Sequence, residues 1–389
     1  MKKSLMLALS AFANIAAFAA GSYDVVGIIW PAYHPEPRWK ELGIFPHGSG
    51  EWQNVYEAAP KFDGHDQPKV PLWGYENEAD PIVVARKIDA ALAAGINVFM
   101  YDWYWYQNRP FLEGALNDGF LKAPNNERMK FFLMWANHDV SNLWDNKIGV
   151  QNKHNVIRMR ASVALDEFKN ALVPRWIEYF KKPNYYKVDG KPVLAIYLFN
   201  RNFMPGVGGE ANAKDAIKYL EDQCKKAGFK GVFLMATQSR WNKMQNPKEF
   251  GIDALFNYNW SEIVRTSDGD MDYSDFHKKY AQKYDETSKN FGVPYYPNAT
   301  VGWDDNPRYP AGDRQPCVTG RSPEKFEAAL RFAKSRVDSQ DLAGAPKMIF
   351  INAWNEWTED GCLEPDTKFG YGFLNAVARV FGGCGQATE

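Results

Sequence analysis

The sequence predicts a single (β/α)8 barrel with long βα loops, and three observations support that fold class. Eight short apolar runs with strand character alternate with segments of helical periodicity, as in a parallel sheet. About 370 residues remain after a predicted leader of 20, a length that such barrels commonly reach. No dinucleotide-binding glycine fingerprint is present, which favours a closed barrel over an open doubly wound sheet.

The eight predicted strands are short apolar runs, most of which end in polar or aromatic residues. They cover residues 25–30, 96–101, 130–135, 192–198, 232–236, 254–258, 295–301 and 347–352. The seventh should be irregular because Pro297 has no amide hydrogen for a sheet ladder. The carboxyl ends of all eight strands should meet at one face of the barrel, where active sites of this fold form.

The predicted helices have apolar residues three or four positions apart. They cover residues 81–94, 111–121, 163–181, 213–227, a segment marked by Phe276, Tyr280 and Tyr284, residues 323–333 and residues 371–381. The first has the clearest ends, since Asp80 can cap it, Pro81 suits its first position and Gly95 can stop it. Pro174 should interrupt the third, and residues 32–78 should form a long polar loop.

The N-terminus has the features of a cleaved secretory signal. Lys2 and Lys3 precede an interrupted apolar run at residues 5–18, which ends in small residues. The run is too short for a good membrane span, so residues 1–20 are predicted to be removed after Ala19 or Ala20. Residues 21–389 should then form one domain in the periplasm or outside the cell, without membrane attachment.

The composition narrows the class of partner. Lys and Arg number 46 and Asp and Glu 47, so nothing favours a nucleic acid or an anionic membrane surface. There is no internal repeat or linker, and a monomer is expected. The chain has 14 Trp, 20 Tyr and 25 Phe, and several lie in polar loop contexts that core packing explains poorly.

The four cysteines are Cys224, Cys317, Cys362 and Cys384, and none has the Cys-x-x-Cys spacing of a zinc site. Cys224 is in phase with the apolar face of a predicted helix, which indicates a buried free thiol. A disulfide between Cys317 and Cys362 could join two neighbouring loops. Two separate thiols, or pairing of Cys362 with Cys384, remain alternatives.

The most informative segment is residues 349–361, where an apolar strand ends in Asn355 and two carboxylates. Glu356 and Glu359 lie three residues apart beside Trp354 and Trp357. One carboxyl can protonate a glycosidic oxygen while another accepts a proton, and indole rings can stack on sugar faces. A single Glu here would suggest a solvated turn, but the whole string favours a carbohydrate site.

Polar and aromatic residues follow every predicted strand, as a carbohydrate cleft requires. The candidates at these ends are Tyr33, His34, Asp102, Trp103, Trp105, Asn137, His138, Tyr197, Asn257, Tyr258, Trp303 and Asp304. Asp102 directly follows an apolar run and should point into the barrel mouth. A single loop histidine is more often only hydrogen-bonded than a ligand. Convergence of His34, His65 and His138 on a metal is not favoured, and no metal or cofactor is expected.

With these residues assembled, the chain resembles the WbsX-like family, which is related to the endo-α-mannosidases and endo-α-mannanases of glycoside hydrolase family 99. The resemblance spans nearly the whole mature chain and rests on the order of several short motifs. They are Tyr33-His34-Pro35, residues 51–55, residues 62–68, Tyr104-Trp105-Tyr106, Trp135-Ala136-Asn137, Gly302-Trp303-Asp304 with Arg308, residues 352–359 and residues 363–366.

The resemblance implies a retaining mechanism without a protein nucleophile. Glu356 would assist attack by the substrate's own 2-hydroxyl, and Glu359 would be the general acid and then the general base. His65, Trp135, Asn355 and Trp357 would join the substrate-binding set. WbsX-like chains usually have Glu where this chain has His138, which implies a different subsite preference, and Cys362 is also unusual.

Three functions remain open at this point. The leading hypothesis is an exported, endo-acting glycosidase that cleaves a polysaccharide or glycan. A glycosyltransferase is the first alternative, but nucleotide-sugar donors are cytoplasmic, which disagrees with export. A non-catalytic glycan-binding barrel is the second, and the intact Glu356/Glu359 pair disfavours it. An α-manno-configured sugar is the natural expectation for the 2-hydroxyl mechanism.

Overall fold

The computed structural model describes residues 23–382. The predicted leader at residues 1–20 and Cys384, with its alternative pairing, lie outside the described residues. Within residues 23–382, no helix is both long enough and apolar enough to span a bilayer.

Parallel strands form a nearly closed barrel, which confirms the predicted fold class. They are β1 (Asp24–Ile29), β2 (Val98–Tyr106), β3 (Lys130–Trp135), β4 (Lys191–Ile196), β5 (Phe233–Thr237), β6 (Ala254–Phe256), β7 (Tyr295–Tyr296), β8 (Asn298–Thr300) and β9 (Met348–Asn352). The sheet runs in the order β7, β6, β5, β4, β3, β2, β1, β9, β8. The predicted seventh strand is thus two pieces separated by Pro297, one paired with β6 and the other with β9.

Strand β2 departs most from its prediction. It continues through residues 102–106 and folds back as a hairpin, in which Tyr104 pairs with Phe111. Phe111 therefore lies in a short strand, Arg109–Phe111, instead of starting a helix. The helical turns that follow are a π-turn at Ala115–Gly119 and a 3-10 turn at Phe120–Lys122.

The principal helices surround the barrel. They are α1 (Pro37–Leu42), α2 (Trp52–Tyr56), α3 (Pro81–Ala94), α4 (Val173–Phe180), α5 (Glu210–Lys226), α6 (Tyr273–Thr287), α7 (Pro323–Ser339) and α8 (Gly372–Phe381). Helices α1 and α2 lie within the segment predicted as a polar loop. The predicted ends of α3 are confirmed, because Asp80 accepts from the Ile82 amide at 2.8 Å and Gly95 is left-handed.

The interruption predicted near Pro174 is also present. A helical turn at Leu165–Glu167 passes into a single π-helical turn, Phe168–Leu172, before α4 begins at Val173.

One of the two cysteine predictions is confirmed and the other is wrong. Cys224 is a buried free thiol as predicted, but Cys317 and Cys362 are separate buried thiols and form no bridge with each other.

Candidate active site

Glu356 and Glu359 lie on one small β-hairpin after β9. Asn355–Glu356 pairs antiparallel with Gly361–Cys362, and the connection is a 3-10 turn, Trp357–Glu359, closed by Asp360 in the left-handed conformation. The amide of Asp304 donates to the Glu359 carbonyl at 2.9 Å and ties the hairpin to the loop after β8. Hydrogen bonds to defined backbone atoms therefore fix the positions of both carboxyl groups.

A buried ionic network anchors the hairpin from behind. Lys87 of α3 contacts Glu78 and Glu364 at 2.6 Å each. Asn355 donates to the Glu78 carboxylate at 2.9 Å, and the Trp357 indole donates to Glu364 at 3.0 Å. We refer to these five residues as the Lys87 cluster. Its members hold the hairpin against α3 without facing the cleft.

The tip of the hairpin is fixed in the same way. One carboxylate oxygen of Asp360 lies 2.9 Å from Lys69 Nζ, and the other lies 2.9 Å from Arg321 Nε. Gly302 lies directly against this residue, since an added Cβ would come within 2.7 Å of the Asp360 carbonyl oxygen. Only glycine fits there without moving the hairpin.

A single buried arginine joins the two predicted catalytic acids. Arg308 Nη1 is ion-paired with Glu359, and Nη2 lies 3.6 Å from Glu356. Its Nε donates to Glu51 at 2.8 Å, and Glu51 also accepts from the Trp30 indole. We refer to Arg308, Glu51, Glu356 and Glu359 as the Arg308 cluster. It holds three carboxyl groups and one cation.

A short hydrogen-bonded chain connects Glu356 to the opposite wall. The Tyr258 hydroxyl lies 2.8 Å from Asp102 Oδ2 and 3.1 Å from Glu356 Oε2. A hydroxyl has one hydrogen, so it can donate to only one of these carboxyls and must accept from the other. At least one of the two acids is therefore protonated when both contacts are made.

The pKa shifts agree with that conclusion. Burial, reinforced by the charge of Glu359, raises the pKa of Glu356 well above its usual range, and Arg308 opposes the rise. Burial raises the pKa of Asp102 in the same way. Burial also raises the pKa of Glu359, against the opposing effect of Arg308. Trp357, predicted to belong to the substrate-binding set, instead packs against Trp52.

The barrel mouth is open as a cleft with a cavity volume of about 500 Å³. Its size is typical of small-ligand sites. Five carboxyl groups line it, those of Asp102, Glu262, Asp305, Glu356 and Glu359. Its aromatic lining consists of Trp30, Tyr104, Trp144, Tyr197, Trp241, Tyr258, Trp303 and Tyr309. Acids surrounded by flat apolar faces suit a sugar, whose hydroxyls need acceptors and whose ring faces can stack.

The structure brings seven of the predicted site residues together around this cleft. They are Asp102, His138, Tyr197, Tyr258, Trp303, Glu356 and Glu359. Burial lowers the pKa of His138, so its ring is neutral near pH 7.

The other eleven predicted residues do not line the cleft. They are Tyr33, His34, His65, Trp103, Trp105, Trp135, Asn137, Asn257, Asp304, Asn355 and Trp357. For Trp103 and Trp105 the reason is the extension of β2, because alternate residues of a strand face opposite sides. Asp102 and Tyr104 face the cleft, while the two indoles stack outside the barrel and donate to Glu113 and Glu167.

Of the remaining nine, all except Trp135 use a polar side-chain group on a protein partner, and the Trp135 indole nitrogen is buried without one. Trp135 packs against Trp176, and Asn137 bonds the backbone of Leu198. Asn257 accepts from the hydroxyls of Tyr280 and Tyr295, and the Tyr33 hydroxyl accepts from the Trp357 amide. The ring of His34 lies against Gly114 and bonds the Pro35 carbonyl. These residues shape the cleft walls from behind.

His65, Asp304 and Cys317 converge closely enough to suggest a metal site. The hydrogen bonds favour another arrangement. The Lys61 amide donates to His65 Nδ1 at 3.1 Å, so the ring hydrogen is on Nε2 and is donated to Asp304 at 2.8 Å. Although burial opposes it, the hydrogen bond from His65 lowers the pKa of Asp304 to about 2. This Nε2 has no lone pair for a metal.

Several lining residues were not predicted from the sequence. Arg308 was noted only within a family motif, although a motif of buried acids implies a buried cation. Glu262 lies in a short 3-10 turn, Trp260–Glu262, and accepts from the Tyr197 hydroxyl. Burial raises the pKa of Glu262 to about 8. No local pattern distinguishes this Glu from a solvated one.

Comparison with known proteins agrees with the predicted family. The family described as "Glycosyltransferase WbsX" matches residues 25–377. The chain belongs to the WbsX family. Two curated relatives, both "Uncharacterized protein WxcX" from strains of Xanthomonas campestris pv. campestris, are 27% identical over 370 residues. The match covers 92% of this chain and 49% of each relative, so the chain spans about half their length.

Solved structures show the same fold at low sequence identity. A "Glycoside hydrolase-like protein" has a TM-score of 0.59 at 14% identity and covers 95% of this chain and 97% of its own. The GH99 endo-alpha-mannosidase from Bacteroides thetaiotaomicron, in complex with BIS-TRIS-propane, has a TM-score of 0.55 at 12% identity. That match covers 92% of this chain and 95% of the mannosidase. The WbsX chain therefore has a glycosidase-like barrel.

Proposed function

We propose that this WbsX protein is an exported, retaining glycoside hydrolase that cleaves within a polysaccharide or glycan. The observation that supports it is the pair of carboxyls, Glu356 and Glu359, on one hairpin in an aromatic-walled cleft, sharing Arg308. Both carboxyls contact the Arg308 guanidinium, so the two acids lie at one place in the cleft, where both can act on one sugar.

The surroundings of the two acids favour distinct roles. The Glu359 side chain is 11% exposed and that of Glu356 is 6% exposed. We assign Glu359 as the acid/base, which must exchange its proton with the leaving group and then with water. Glu356, bonded to Tyr258, would take the proton of the attacking 2-hydroxyl. Burial raises the pKa values of both Asp102 and Glu356, but Arg308 opposes the rise only for Glu356, so Asp102 is the poorer candidate for an ionised nucleophile.

A glycosyltransferase is the second candidate, because the matching family is described by that activity. The acids of the cleft favour hydrolysis. Five carboxyls line it, and Glu356 and Glu359 lie together on one hairpin. Hydrolysis of a neutral glycosidic bond needs proton donors and acceptors of this kind.

A screen of purified protein against polysaccharides, read for new reducing ends, tests the proposal. The expected result is release of reducing ends by the wild type and loss of release in Glu359→Gln. Transfer from nucleotide sugars without hydrolysis would establish the glycosyltransferase instead. Binding of a glycan without turnover would establish a non-catalytic barrel.

The 2-hydroxyl mechanism needs its own test. A substrate that lacks the 2-hydroxyl, or has 2-fluoro in its place, should be inert to the wild-type enzyme even with a good leaving group. The parent substrate with the same leaving group is the control. A glycosyl ester trapped on Glu356 or Asp102 would show a conventional nucleophile.

Export is proposed from the N-terminal sequence. Expression of the full chain in a bacterium with a periplasm should give mature protein that begins after Ala19 or Ala20. Intact mass of the periplasmic fraction measures this. Uncleaved protein confined to the cytoplasm would contradict the proposal.

A further inference from the structure

Two arginines line the cleft. Arg201 and Arg240 both line the cavity that contains Glu356 and Glu359. Arg201 is exposed to solvent and Arg240 is half-buried, and within residues 23–382 the buried Nε of Arg240 has no hydrogen-bond partner. Most other arginines of the described chain have a carboxylate or carbonyl partner, as Arg308 and Arg321 do.

The two arginines lie on adjacent loops that are tied together. Arg201 belongs to the π-turn Phe199–Phe203 after β4, and Arg240 follows β5. The Asn200 amide donates to the Asn242 side chain at 2.8 Å, and the Asn200 side chain donates to the Lys243 carbonyl at 2.5 Å. Both guanidinium groups are thus presented by a fixed backbone.

The Arg240 guanidinium has no hydrogen-bond acceptor for its Nε among the described residues. Its Nε is buried and unpartnered, and leaving a buried charged donor without an acceptor is unfavourable. The guanidinium lies over the Trp241 ring at 4.4 Å, and Trp241 is 51% exposed. An indole with a free face beside a cation offers a stacking surface next to a site for a negative charge.

The nearby acid does not neutralise these cations. Glu262 is the carboxyl group beside Arg240, whose amide donates to the Glu262 carbonyl. Burial raises the pKa of Glu262 to about 8, so it is mostly protonated at pH 7. The remaining acids of the cleft belong to or adjoin the Arg308 cluster and would repel an anion. Among the residues that line the cleft, Arg201 and Arg240 are therefore the cations left available to an anionic ligand.

We propose that Arg201 and Arg240 form a subsite for an anionic substituent of the glycan, a carboxylate or a sulfate ester. The substituent would be on a sugar at least one residue from the bond held between Glu356 and Glu359. This inference rests on the proposed function only in taking the ligand to be a glycan. Guanidinium groups suit planar or tetrahedral oxyanions because they donate in a fixed fork.

The test is a binding measurement that does not require turnover. Polygalacturonate and alginate serve as carboxylated probes, each beside its carboxyl-reduced form, and heparan sulfate and dextran sulfate serve beside desulfated heparan and dextran. Affinity electrophoresis of wild type, Arg201→Gln, Arg240→Gln and the double variant gives the affinities. Arg265→Gln is the matched control, because Arg265 already has Ser267 and Asp268 as partners and does not line the cleft.

We expect at least one anionic probe to bind wild type and Arg265→Gln equally, and about 10-fold or more weaker binding by the double variant. The neutral counterpart should bind all variants equally. The carboxylated and sulfated arms identify the anion. Binding that is unchanged in the double variant, or no preference for any anionic probe, would overturn the subsite. Hydrolysis of a neutral glycan would then still support the proposed function, and anion binding without hydrolysis would support only the subsite.

Discussion

The Arg308 cluster and the Lys87 cluster are two buried networks with similar composition on opposite sides of one hairpin. Each has one cation and more carboxyl groups than it can neutralise. In the Lys87 cluster, amide and indole donors from Asn355 and Trp357 satisfy the excess acid. In the Arg308 cluster, Glu356 and Glu359 face an open cavity. Cavity access, more than charge, distinguishes a reactive acid from a structural one.

The two clusters also differ in whether their protons can be exchanged with a ligand. Lys87 lies between two carboxylates, and these charges, against the effect of burial, raise the pKa of its ammonium group. The proton of Lys87 is therefore held firmly over the accessible pH range. Burial raises the pKa values of Glu356, Glu359 and Asp102, as it does for Glu78 of the Lys87 cluster, but only the first three line the open cleft, where a substrate can exchange a proton with them. Four substitutions test this distinction.

The largest effect should come from Glu359→Gln, which removes the transferable proton but keeps the shape. We expect a rate loss of about 10²–10⁴ with ordinary glycosides, because leaving-group protonation is lost. A substrate with a good leaving group should lose much less. An equal loss with both substrates would contradict the acid/base assignment.

Arg308→Met should affect both activity and stability. Without its cation, Glu51, Glu356 and Glu359 are buried and unpaired, which costs about 3–5 kcal/mol of unfolding free energy. Arg308 lowers the pKa values of Glu356 and Glu359, so the variant should need a higher pH to ionise Glu356. The ascending limb of the pH–rate profile should therefore shift to higher pH. An unchanged limb would show that Arg308 has only a structural role.

Lys87→Met should show that the Lys87 cluster affects stability without affecting the pH–rate profile. It leaves Glu78 and Glu364 without a cation and should lower the unfolding free energy by about 3–5 kcal/mol. The pH–rate profile of the folded fraction, measured well below the melting temperature, should keep the wild-type limbs. A shifted limb would show that the Lys87 cluster tunes the reactive acids.

Glu262→Gln should have the smallest effect on activity. At pH 7 the carboxyl is mostly protonated, and glutamine has similar shape and hydrogen-bonding capacity. Because the folded pKa is above the unfolded value, wild-type stability should fall as pH rises from about 4.5 to about 8. Chemical denaturation across this range should show a smaller decline in the variant. Parallel curves would contradict a protonated Glu262.

The sequence was sufficient for the barrel because each strand has a strong local signal. Alternating runs and capped helices such as α3 depend on neighbours in the chain, and these predictions are confirmed. The hairpin extension of β2 was missed, since an aromatic run reads equally well as strand or loop. That error changed the orientation of Trp103 and Trp105.

The cleft was harder to predict. A position at a strand end shows that a residue is near the barrel mouth, but it does not show whether its side chain faces the cleft. Asp102 and Tyr258 were identified, but Asn257 and Trp135 equally follow or end strands and face the core. Glu262, Arg201 and Arg240 come together only through contacts between loops distant in sequence. Residues of this kind need tertiary structure to be recognised.

The hairpin after β9 has an evolutionary consequence. In many barrels, chemistry depends on side chains from different strands, so a change in any loop can alter the spacing of the reactive groups. Here both acids belong to a single four-residue segment, Glu356 to Glu359, closed by its own ladder. Mutations in the loops after β4 and β5 can accumulate without changing that spacing. In the proposed hydrolase, changes in those loops could therefore alter which glycan is bound while the two acids keep their spacing.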